Sequence, residues 1–115
     1  VVIITIEMDV CPLKTKEFLQ TMLVITQQIR MENGCIACDF LKDLGEENKY
    51  RIVGKWKGKD ALNNHLQSEE FRVMRGAMCL LANKLDILFY VVTSQQALNP
   101  LQKKPLQEQR NTLDA

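Results

Sequence analysis

No apolar run in these 115 residues approaches the length of a membrane-spanning helix. An excess of charge of one sign is also missing. Fifteen Lys and Arg stand against fourteen Asp and Glu, a net charge of +1, so there is no electrostatic footprint for nucleic acid. Aromatics are scarce at 6%, with one Trp, two Tyr and four Phe, and there is a single His. One His cannot build the paired-histidine zinc hydrolase motif, and no dinucleotide-binding, Walker or Gly-x-Ser-x-Gly signature occurs. The nucleophile and metal-dependent enzyme classes therefore lack support. What is present suits a globular fold: a 46% apolar share is enough for a core, and the length allows one domain.

Four cysteines occur without a secretory signal, which predicts free thiols and a cytoplasmic location. The apolar opening Val1 to Ile6 is interrupted by Glu7 and Asp9 and follows no basic stretch, so it reads as a strand rather than a signal peptide. Cys35-x-x-Cys38 has the spacing of a redox or zinc motif. On a regular strand, however, residues three apart face opposite sides, so the sulfurs should diverge and act as packing groups. No second cysteine pair is available to complete a metal site, and none is expected.

Alternation over Val1 to Val10 puts Val2, Ile4, Ile6, Met8 and Val10 on one face of a strand. Pro12 ends it and suits the first turn of a helix. Phe18, Met22, Ile25 and Ile29 then recur at helical spacing between Lys14 and Glu32, and Asn33-Gly34 supplies a left-handed stop. Cys35 to Lys42 is apolar on both faces, with Ile36, Cys38 and Phe40 on one and Cys35, Ala37 and Leu41 on the other. A polar loop, Gly45 to Asn48, joins it to a strand from Tyr50 to Trp56. Gly58-Lys59-Asp60 opens a short helix to about Gln67, and Ser68 caps another whose inward stripe is Phe71, Met74, Met78 and Leu81. Leu85 to Thr93 reads as the last strand.

The order β-α-β-β-α-α-β predicts an α+β fold of the ferredoxin-like split β-α-β type, with an antiparallel sheet and its second helix broken in two. Helices cover one sheet face only, yet both faces carry apolar residues. A second identical sheet is the economical cover, so a symmetric homodimer is expected. Residues 1–94 form the domain. Residues 95–115 are rich in Gln, Lys and Pro and form either a solvated tail or an arm anchored on a partner subunit through Leu98, Leu101 and Leu106.

His65 is the only side chain whose unperturbed titration lies near neutral pH. It shares a helix face with Ala61, Leu62 and Leu66, so it should point into the gap between helix and sheet. Trp56 walls that gap from the strand, and Phe71 lies on the adjoining helix. With Cys38 and Met74 they predict a pocket for a planar aromatic or quinone-like ligand. Asn64, or its neighbour Asn63, could hydrogen-bond a substrate oxygen. For each of these residues the rival role is packing: a core-lining imidazole, buried rings, a methionine stripe.

Gly34-Cys35, Trp56, Ala61-Leu62, His65-Leu66, Ser68 and Phe71 together resemble the antibiotic biosynthesis monooxygenase superfamily. The resemblance covers about Val2 to Thr93 and implies a dimeric α/β barrel. It also implies oxygenation of a quinol or phenol without metal, flavin or other cofactor. In that chemistry a base, here His65, takes a phenolic proton and the anion reduces dioxygen. Trp56 and Phe71 would hold the ring. Two patterns within the superfamily are absent. The Asn, Trp and Tyr of polyketide oxygenases fall on Ala61, His65 and Phe71, and the haem-ligating His of the haem-degrading branch falls on Arg75. A base-catalysed isomerase and a non-catalytic ligand-binding or structural dimer are the alternatives.

Overall fold

The computed structural model of the chain describes residues 1–101. Its elements are β1 (Val2–Val10), a 3-10 turn (Pro12–Lys14), α1 (Thr15–Arg30), β2 (Cys35–Lys42), β3 (Lys49–Trp56), α2 (Lys59–Leu66), α3 (Glu69–Leu81) and β4 (Ala82–Val91). The strands form one antiparallel sheet in the order β2-β3-β1-β4, the ferredoxin-like α+β arrangement that the element order predicts. No helix among the described residues is long and apolar enough to cross a membrane. The final strand begins at Ala82, directly after α3, rather than at Leu85, and ends at Val91. Leu98 and Leu101 are exposed in this chain. Leu106 and the rest of the expected tail or arm lie outside the described residues.

The alternation in β1 translates directly into burial, because successive side chains leave opposite sheet faces. Val2, Ile4, Ile6, Met8 and Val10 are buried, and the residues between them are only partly covered. Phe18, Met22, Ile25 and Ile29 of α1 close over that face. Thr26 is buried beside them, and its hydroxyl donates to the Met22 carbonyl at 2.7 Å, so no polar group is left unpaired there. Phe18, Phe40 and Tyr50 pack with ring centroids 5.5 to 5.7 Å apart and lock α1 across β2 and β3.

Two glycines shape the end of the sheet where α2 docks. Gly34 has a φ of +87°, and a Cβ there would meet the Ala61 Cβ at 2.5 Å. The helix itself ends earlier, at Arg30 with Met31 as its cap, so the expected stop at Asn33-Gly34 falls in the turn beyond it, where the Cys35 N–H donates to the Glu32 carbonyl. Glycine supplies the left-handed residue of that turn and lets α2 approach it. Gly54 faces the core between Ile4 and Trp56. A Cβ would come within 3.0 Å of Ile4 Cγ2 and 3.1 Å of Trp56 Nε1, so its absence lets the indole fold back over the strand.

The expectation for Cys35 and Cys38 is corrected. Cys35 pairs with Trp56, Ala37 with Lys55 and Cys38 with Gly54, and the register shifts between Cys35 and Ala37. Ile36 is thus the extra residue of a β-bulge, and an extra residue reverses the parity of everything beyond it. Directly paired residues share a face, so Cys35 and Cys38 both lie on the helix side of the sheet, while Ile36 is exposed rather than in line with Cys38. All four cysteines are unbonded.

Candidate functional site

The chain's only histidine is buried, at 4% exposure, and is held on three sides. Its Nδ1 lies 2.9 and 3.1 Å from the two carboxylate oxygens of Glu32, in the turn between α1 and β2. The Trp56 ring stacks on it with centroids 4.4 Å apart and planes 24° apart. Phe71 meets it edge-on at 5.3 Å and 69°. The local causes are legible in the chain. α2 presents His65 from its inner face beside Leu62, and the Gly34–Ala61 contact brings the Glu32 turn against that helix. Ser68 caps α3 by accepting the Phe71 N–H at 3.1 Å, which sets the position of the Phe71 ring.

An apolar cavity of about 360 Å³ opens beside this cluster, between α2, the start of α3 and the β1–β4 half of the sheet. Ile4, Leu62, Leu66, Phe71, Ile87 and Phe89 make its walls, and Lys59 and Asn63 stand among the lining residues as its polar groups. Phe71 is shared between the cavity and the imidazole. His65 and Trp56 sit behind it and do not line the cavity.

The structure thus brings His65, Trp56 and Phe71 into one cluster and separates them from the other anticipated contacts. Cys38 and Met74 are core residues at 2% and 1% exposure. Asn64 is exposed and outside the cavity lining, whereas its neighbour Asn63 is part of it. Sequence reasoning missed Glu32 and Lys59. Helical periodicity says nothing about a polar residue in a turn, and only the Asn33-Gly34 stop beside Glu32 hinted that the turn would be tight. Ile87 and Phe89 were visible as strand residues, but not as a cavity wall.

The indole N–H of Trp56 is buried without a hydrogen-bond partner among the described residues. A donor left in this state costs about 1–3 kcal/mol, so packing must hold the ring in place. Cys38 is an unreactive thiol: burial, and next the neighbouring Cys35, push it up to about 12, only partly offset by Arg30. Burial followed by the Glu32 charge raises Cys35 as well. Neither has the thiolate character that a nucleophile or metal ligand needs. Among the described residues no cluster of His, Cys, Asp and Glu could hold a metal ion.

Residues 1–77 match the family model described as antibiotic biosynthesis monooxygenase. A Bacillus subtilis relative, named "Putative monooxygenase YcnE", is 33% identical over 79 residues, which cover 67% of this chain and 82% of that protein. A protein of Deinococcus radiodurans superposes with a TM-score of 0.78 at 22% identity, covering 89% of this chain and 100% of that one. SnoaB, a cofactor-independent oxygenase from Streptomyces nogalater, superposes with a TM-score of 0.72 at 16% identity, covering 82% and 94% of the two chains. At such identities the structural likenesses establish the fold, and the family rests on the sequence match. The chain belongs to the antibiotic biosynthesis monooxygenase family.

Proposed function

We propose that this chain is a cofactor-independent monooxygenase of a quinol or related phenol, with the apolar cavity beside α2 as its substrate site. The observation that carries this reading is the Glu32–His65 pair enclosed next to that cavity, behind Phe71. A carboxylate accepting from Nδ1 leaves Nε2 as the basic nitrogen of the imidazole. In this reading a rotation of the Phe71 ring opens Nε2 to a phenolic hydroxyl. The imidazole takes the proton, and the electron-rich anion reduces dioxygen in a space poor in water. The balance closes on the substrate alone. One oxygen atom enters the ring, the other leaves as water, and the quinol supplies all the electrons as it becomes a hydroxyquinone. Membership of a family that includes such oxygenases supports the reading.

Oxygen uptake with a panel of hydroquinones and hydroxyanthrones tests it. His65→Ala should lower uptake by roughly 10²–10⁴-fold. Glu32→Gln should lower it in the same direction. Full uptake by a folded His65→Ala variant would remove His65 from the mechanism.

The 4% exposure of His65 favours a second reading, in which the imidazole is a packing group. Glu32 and His65 then tie α2 to the α1–β2 turn, and the chain binds its ligand without turnover. Saturable binding of a panel member with no oxygen uptake would select it. Solvent deuterium entering the ligand, still without uptake, would instead select an isomerase on the same scaffold.

A further inference from the structure

We infer that the cavity beside α2 takes its ligand as an amphipathic organic anion, with Lys59 as the residue that reads the charge. The inference rests on the reading of this cavity as the substrate site and deepens it. The walls are aliphatic and aromatic side chains, and no Asp or Glu is among them. The polar groups, Lys59 and Asn63, lie four residues apart on α2, on the same side as Leu62 and Leu66. Both are exposed, as are Leu66, Ile87 and Phe89, whereas Ile4 and Leu62 are buried, so the polar groups stand at a mouth with an apolar rim and the floor is wholly apolar.

Lys59 is also uncommitted. Among the described residues no carboxylate lies within salt-bridge distance of its ammonium. It is the first residue of α2, so the unpaired N–H groups of the opening turn add positive potential at the same place. A cation beside apolar walls, with no acid to neutralise it, complements a ligand with an apolar body and one anionic oxygen group. Carboxylates, sulfonates and phenolates share that chemistry, and Asn63 can donate a second hydrogen bond to the same group. For a phenolic substrate, Lys59 would favour the ionised form that reacts with dioxygen.

Two fluorescent probes with the same ring system separate charge from apolar binding: 8-anilino-1-naphthalenesulfonate and the neutral N-phenyl-1-naphthylamine. Their dissociation constants are to be measured on the wild-type chain and on three variants whose folding is checked by circular dichroism. Lys59→Met should lower the affinity ratio of sulfonate to amine by about tenfold. Lys57→Met, which removes the same charge from a residue outside the lining, should leave the ratio unchanged. Ile87→Trp, which fills the cavity, should weaken both probes, and Leu66→Trp serves if that variant does not fold. An unchanged ratio in Lys59→Met, with both probes still lost on filling, overturns the role of Lys59 and keeps the cavity. Binding of both probes that survives filling overturns the cavity as the site, and the inference with it.

Discussion

At the scale of single residues, the site depends on a few contacts that tolerate little change. Trp56 is 1% exposed and stacks on His65, so Trp56→Ala should destabilise the chain by about 3–5 kcal/mol, read as a lower urea midpoint. Gly34 is constrained twice, by a positive φ and by Ala61. Gly34→Ala should therefore cost more than roughly 1 kcal/mol, and it should push the Glu32 turn away from α2. An unaltered midpoint in Gly34→Ala would contradict the close approach of turn and helix. The thiols differ in the same physical terms. Cys79 is exposed, while Cys38 is buried and held protonated well beyond neutral pH. A maleimide should label Cys79 first and Cys38 last, and labelling of Cys38 ahead of Cys79 would reverse the burial assignment.

At the scale of elements, two devices place the site: the cap of α3 and the bulge of β2. The Ser68 hydroxyl donates to the His65 carbonyl at 2.6 Å and accepts the Phe71 N–H, linking the end of α2 to the start of α3. Ser68→Ala should cost about 1 kcal/mol, and Ser68→Asp, which keeps the acceptor, should recover most of it. Equal losses in the two variants would show that the cap is not what stabilises the junction. The bulge at Ile36 turns Cys35 to the same side as Trp56 and Cys38. Counting by twos along the chain fails here, and again at the start of β4 where Val10 pairs with Ala82 and Asp9 with Lys84, since a bulge is a property of the pairing and not of either strand alone.

At the scale of the whole molecule, one sheet face lies outside the core. Leu41, Leu88 and Tyr90 are exposed on it, at 48%, 58% and 51%, and Ile3 and Val53 are only partly covered. Charged residues share this face, with Arg51 and Glu7 paired between neighbouring strands, so cover by a second copy would be mixed rather than uniformly apolar. We propose that two copies pack these faces together. Sedimentation at micromolar concentration should then give a dimer, and Leu88→Glu should shift it towards monomer. A compact wild-type monomer under those conditions would leave the exposed face of β4 needing another explanation.

What the sequence determined by itself was the order and type of the elements and the inward residue of nearly every turn and strand. Alternation in β1, helical spacing in α1, the Asn33-Gly34 turn and the Ser68 cap are local signals, and the physics that makes them acts between residues close in the chain. The clustering of Trp56, His65 and Phe71 was legible for the same reason, since all three flank one strand–helix–helix passage. Tertiary structure alone decided the rest. Glu32 reaches His65 because two backbone segments meet at Gly34, and the cavity exists because Ile4, Leu62, Phe71 and Phe89 come from separate elements that do not quite close on one another. A hydrogen-bonded pair between distant segments and a void between packed surfaces are set by relative placement, which periodicity along one segment does not encode.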